Sequence, residues 1–168
     1  GNGYAITAVI GSKPVMHVSQ STFISSTFFT ERIGFVAGLA TLSEMEKEKS
    51  WKTISEKGAS FKEKLRKLCK LHNLDIEITG MDALVTYNFK CSNPTQYKTY
   101  VTQEMLKHNF LVGNLFYPSI AHSDQDIDDF FTSFNQVLKK LSKIITAGEN
   151  LKKYLDGPVC HSGFQRLN

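Results

Sequence analysis

The hydroxyl-bearing run Ser25-Ser26-Thr27, followed by Phe28, stands just ahead of a segment whose apolar residues recur at helical spacing. Hydroxyls beside the start of a helix suit a phosphate, because that end carries partial positive charge and N–H groups with no intrahelical partner. The same residue types also serve as ordinary helix caps, so the residues by themselves leave both roles open. Other chemistries are poorly served. His17, His72, His108, His122 and His161 show no H-x-x-x-H or H-E-x-x-H spacing, so no metal site is expected. His122, next to Ser123, reads instead as a hydrogen-bonding residue near a helix start. Cys69, Cys91 and Cys160 are odd in number and lack C-x-x-C spacing, which points to reduced structural thiols. There is no G-x-S-x-G elbow for a nucleophilic serine, and Gly1-Asn2-Gly3 is not a dinucleotide fingerprint because position 6 is Ile6.

The elements that must position the hydroxyl run are readable from periodicity. Residues 4–10 (YAITAVI) are apolar and β-branched between Gly3 and Gly11, as in a short buried strand. Residues 18–30 show no helical period and read as strand or loop. A helix is expected from Thr30 or Glu31, with Gly34, Ala37, Gly38 and Ala40 allowing close backbone approach, and a second helix over residues 50–72 buries Trp51, Ile54, Phe61, Leu65 and Leu68. Residues 75–79 and 83–89 alternate and predict two antiparallel strands turning at Gly80. Asn93-Pro94 opens a further helix. Residues 110–112 and 115–117 are short extended pieces. The widest apolar stripe is Ile127, Phe130, Phe131, Phe134, Val137, Leu138, Leu141, Ile144 and Ile145, with Ser123 as N-cap, acidic residues in the first turns and lysines later, which complements the helix dipole. The pattern predicts an α/β arrangement of helices against a small sheet.

The 168 residues, 41% of them hydrophobic, can form one core or a small domain plus a fragment of another. The formal charge of +4, from 20 basic and 16 acidic residues, is spread along the chain. Its densest basic run, residues 62–70, fits a solvated helix face better than a nucleic-acid groove. No run approaches the roughly 20 apolar residues of a membrane span, and no charged segment precedes an apolar one as in a secretory leader, so a cytoplasmic location is expected. The chain opens on Gly1-Asn2-Gly3-Tyr4 without an initiator methionine and enters an apolar segment at once, as a fragment would.

Three segments together resemble class III pyridoxal-phosphate-dependent aminotransferases of the glutamate-1-semialdehyde-aminomutase-like group. Gly1-Asn2-Gly3-Tyr4-Ala5-Ile6 resembles the stretch that follows the Schiff-base lysine there. Ser26-Thr27-Phe28-Phe29-Thr30-Glu31-Arg32-Ile33-Gly34, continuing to Ala37-Gly38-Leu39-Ala40-Thr41-Leu42, is the most specific match. Ser119-Ile120-Ala121-His122-Ser123-Asp124, then Asp126-Ile127, resembles the family's entry into its last long helix. The resemblance runs through nearly the whole chain in the right order.

It implies the carboxy-terminal portion of a type I pyridoxal-phosphate transferase, with residues 1–45 the tail of the large cofactor-binding domain and residues 46–168 the small α/β domain. It further implies a homodimer in which Thr27, by its hydroxyl and N–H, and secondarily Ser26, bind the phosphate of pyridoxal 5'-phosphate held by the neighbouring subunit. The Schiff-base lysine is expected three residues ahead of Gly1, so no catalytic residue is assigned within the chain, and the chain alone is expected to be inactive. The implied reaction moves an amino group between an amine or amino acid and a carbonyl such as a semialdehyde, keto acid or keto sugar. Residues 112–117 lack the acidic residue of the aminomutase pattern, and no arginine near Pro118 is placed to clamp a carboxylate. The alternative is a non-catalytic interaction module derived from the small domain, in which a bare strand edge at residues 4–10 and the small-residue helix around Gly34 serve a partner.

Overall fold

The computed structural model describes residues 1–27 and 29–163, which divide into two compact units, Gly1–Ser50 and the chain from Trp51 onward. In the first unit, residues 4–10 are not a buried strand: they form no ladder, and Val9 and Ile10 are 84% and 90% exposed. β-branched residues favour extended backbone, but a strand needs a neighbour to take its hydrogen bonds, and none of the described residues pairs with this segment. Helix α1, Lys13–His17, carries Pro14 in its first turn, where the missing N–H costs nothing, and a 3₁₀ turn follows over Val18–Ser21.

Helix α2 spans Ile33–Glu48. It begins later than expected, with Arg32 rather than a hydroxyl residue at the N-cap; Arg32 is already helical in conformation and no side chain caps this end. Lys49 ends it in the left-handed conformation (φ 48°), its N–H donating to the Met45 carbonyl. Gly34 is buried against the Ala5 carbonyl so closely that a Cβ would collide with it. Phe35, Val36, Leu39 and Leu42, whose spacing puts them on one face of α2, are all exposed, so that face is not covered by the described residues.

The second unit holds the core. Helix α3, Ser50–Leu71, buries Phe61 and Leu65 as its apolar stripe predicts and Cys69 four residues further on, while Ile54 and Leu68 are half-buried and Trp51 is exposed. Strands β1 (Ile76–Thr79) and β2 (Val85–Phe89) pair antiparallel, Ile76 opposite Phe89 and Thr79 opposite Thr86. The turn between them uses Gly80 at φ 80°, where a Cβ would also strike the Leu84 carbonyl. β2 buries Val85, Tyr87 and Phe89 while Asn88 faces out, the period of two read from the sequence. Helix α4, Pro94–Leu106, contributes Tyr100, Val101 and Met105 to the core. Of the two short extended pieces only Leu115–Phe116 joins the sheet, as β3 beside β2, giving the order β1-β2-β3.

Helix α5, Asp124–Thr146, packs beside α4 and buries Ile127, Phe134, Val137, Leu138, Leu141 and Ile144. Each fully buried aliphatic or aromatic side chain contributes about 1.5–3 kcal/mol of transfer free energy, so α5 is the main organiser of the core. A 3₁₀ turn, Leu151–Tyr154, follows and seats Leu151 in the same core.

Candidate functional site

Ser26 and Thr27 lie in the loop that delivers the chain to α2, and both are exposed. Phe28, next in the motif, lies outside the described residues. Ser26 lines a cleft of about 280 Å³ together with Ala5, Thr7, Phe29, Glu31 and Gly34. The Thr27 hydroxyl has no hydrogen-bond partner among the described residues. A few residues on, the first turn of α2 carries no acidic residue and no side-chain cap. The first N–H groups of the helix thus have no side-chain cap. A threonine donor, a serine-lined cleft and an uncapped helix start form a donor set that fits a phosphate. Glu31 on the cleft wall works against an anion there, and Thr27, exposed, is not among the residues that line this cleft.

The second motif, residues 119–127, is rigidly built. Ser123 and Asp126 form a reciprocal capping box: the Asp126 N–H donates to Ser123 Oγ at 3.1 Å, and the Ser123 N–H donates to Asp126 Oδ2 at 2.8 Å. The Ser123 hydroxyl also donates to Asp126 Oδ2 at 2.6 Å. These bonds from the Ser123 side chain and backbone hold the Asp126 carboxyl below its ordinary range. His122 accepts the Ser119 N–H at Nδ1 (3.1 Å), as expected of a histidine near a helix start, and its ring lies 5.4 Å from that of Phe116. The Lys57 ammonium donates to the His122 carbonyl.

Two ties in this region have no signature in the sequence. The bond from Lys57 joins residues 65 apart, and the Tyr87 hydroxyl donates to the Gly113 carbonyl at 2.8 Å across 26 residues. Neither hydropathy nor local spacing encodes a side-chain-to-carbonyl bond of that separation. No group of His, Cys, Asp and Glu that could hold a metal ion occurs among the described residues, and none of their helices is long and apolar enough to cross a membrane.

The architecture is the carboxy-terminal portion of a pyridoxal-phosphate-dependent transferase fold. It is similar to the structure of the PLP internal aldimine form of the FumI protein of Sphingopyxis sp. MTA144, with a TM-score of 0.71 and 17% identity over 82% of this chain and 34% of that one. In sequence the chain is similar to 3-aminobutyryl-CoA aminotransferase of Cloacimonas acidaminovorans (26% identity, 86% of this chain and 36% of the relative). It is also similar to glutamate-1-semialdehyde 2,1-aminomutase of Saccharolobus islandicus (24%, 84% and 37%) and to acetylornithine aminotransferase of Caldanaerobacter subterraneus subsp. tengcongensis (25%, 84% and 36%). The chain thus spans little more than a third of the length of these relatives, corresponding to their carboxy-terminal part. No protein-family model matches it.

Proposed function

We propose that this chain is the carboxy-terminal part of a class III aminotransferase that uses pyridoxal phosphate to move an amino group between an amine or amino acid and a carbonyl: a semialdehyde, keto acid or keto sugar. Bound pyridoxal phosphate supplies the electron sink for that chemistry. Residues 1–45 are the tail of the large domain and residues 46–168 the small domain, a division close to Ser50, where the two compact units part. The protein acts as a cytoplasmic homodimer.

The observation that carries this reading is the loop before α2. Thr27, with Ser26 second, donates to the phosphate of a cofactor bound mainly by the neighbouring subunit, and the uncapped start of α2 adds its N–H dipoles to that anion. Support also comes from α2 itself: Phe35, Val36, Leu39 and Leu42 share one face of the helix and are exposed, so they need more protein around them than the described residues supply. The same exposed residues favour, as a second reading, a non-catalytic module that uses this surface for a partner.

On this reading the chain alone performs no transfer, because the resemblance places the Schiff-base lysine three residues ahead of Gly1. The experiment compares this polypeptide with one extended upstream. The longer protein should exchange amino groups with a keto acid or semialdehyde acceptor, and Thr27→Val in it should weaken pyridoxal-phosphate binding about tenfold or more, the worth of one hydrogen bond to a charged group. The 168-residue chain, mixed with pyridoxal phosphate and reduced with borohydride, should label its lysines only weakly and without site preference. Stoichiometric labelling of one lysine in the short chain, or no transfer by the longer one, overturns the reading, and the latter result favours the interaction module.

A further inference from the structure

The second unit contains a cavity of about 180 Å³ opening between β3 and the start of α5. Its walls are aromatic. Phe61 stacks on Phe116 with ring centroids 4.1 Å apart and meets Phe130 at 5.5 Å, while Phe110 stands edge-on to Phe130 at 5.6 Å. Leu111, 87% exposed, stands at the mouth, where an entering molecule would take its side chain out of water.

Three side chains with polar heads line the cavity: Tyr87, Asp126 and His122. Two are already committed, the Tyr87 hydroxyl to the Gly113 carbonyl and the Asp126 carboxylate to the capping box with Ser123. His122 is different. Because Nδ1 accepts the Ser119 N–H, the neutral ring carries its proton on Nε2, which meets no acceptor among the described residues. The ring is held in place by that bond, by the contact with Phe116 and by the Lys57 ammonium on its own carbonyl.

We propose that this cavity is a binding site for a neutral, single-ring aromatic molecule bearing one hydrogen-bond acceptor, with His122 Nε2–H as its polar anchor. An apolar cavity of about 150 Å³ takes a benzene ring, so the present volume admits one ring with a small substituent within its walls. Aromatic walls favour an aromatic guest through offset and edge contacts. The Asp126 carboxylate at the same wall disfavours an anion, which selects a neutral acceptor over a carboxylate. The proposal stands apart from the cofactor reading: it uses neither Thr27 nor α2.

The test is a ¹H–¹⁵N NMR titration of the chain with phenol at pH 8, with toluene and benzoate as comparators. Phenol should give saturable, one-to-one shifts centred on Val112, Phe116, His122 and Ile127. Toluene, lacking the acceptor, and the His122→Ala variant with phenol should each bind three- to tenfold more weakly, and benzoate more weakly still. Filling the cavity from either wall, by Ile127→Phe or Val112→Phe, should abolish the shifts in whichever variant keeps a native spectrum. The proposal is overturned if phenol does not saturate or perturbs residues elsewhere. It also fails if toluene or benzoate matches phenol, or if a natively folded cavity-filling variant still binds.

Discussion

Gly58 of α3 lies directly against the Asp82 carbonyl in the β1–β2 turn, so close that no Cβ at position 58 could be accommodated without movement of that turn. The turn is held where it is by Lys62, one helical turn further along α3, which donates to the Gly80 carbonyl at 2.7 Å and pairs with the Asp82 carboxylate at 2.9 Å. The Lys62 side chain is only 12% exposed, so this contact is better shielded than an ordinary surface pair. Helix and hairpin are thus locked at a point where a mid-helix glycine would otherwise be a liability.

Gly58→Ala decides between two effects of opposite sign. Helix propensity alone favours alanine by about 1 kcal/mol. Overpacking costs about 1–3 kcal/mol and occasionally more, and here the obstructing atom is backbone rather than a flexible side-chain tip. A net loss of stability is expected, read as a lower urea midpoint; an unchanged or raised midpoint would show that the turn gives way.

Phe134→Ala removes a fully buried ring from the centre of α5 and should cost about 3–5 kcal/mol. Phe23→Ser, at a ring almost wholly exposed in the first unit, should stay within about 0.5 kcal/mol. Paired thermal and urea denaturation measure both, and a large loss from Phe23→Ser would contradict the burial described for that unit.

Ser123→Ala dismantles the capping box and should destabilise the chain by about 1 kcal/mol. Acid has a related effect. The Asp126 carboxyl titrates below its ordinary value in the folded chain, so its contribution is present above the unfolded value near pH 4 and is lost as pH falls through the lower folded value. Asp126→Asn should therefore flatten the fall in stability below pH 4, as followed by circular dichroism.

Burial pushes the Cys69 thiol up to about 12 and raises the Tyr87 hydroxyl as well. Both groups hold their protons more tightly folded than unfolded, so stability should decline from about pH 9 upward, where the unfolded thiol ionises first. Cys69→Ala should remove part of that alkaline slope. In the native chain at pH 8, a disulfide reagent should modify the half-buried Cys91 and Cys160 and spare Cys69 until the protein unfolds.

The amino-acid sequence by itself determined the elements whose signals are local. The stripe from Ile127 to Ile145 and the Ser123 cap specified α5, and the alternation at Val85, Tyr87 and Phe89 specified the buried face of β2, because helical and strand periods act on residues a few positions apart. The order of motifs around Ser26-Thr27 and Ser119–Asp124 likewise led to the aminotransferase resemblance. Tertiary structure decided what depends on distant partners. Residues 4–10 have strand composition but no strand among the described residues to pair with, and α2 begins at Ile33 with no side chain capping its first turn. The contact of Gly58 with Asp82, the bond from Lys57 to the His122 carbonyl, and the cavity that His122 lines with Phe61, Phe110, Phe116 and Phe130 join residues brought together only by folding. Side-chain volume and hydrogen-bond direction at long sequence separation leave no periodic trace, which is why the hydroxyl run at Thr27 could be singled out as a candidate from the sequence and the cavity at His122 could not.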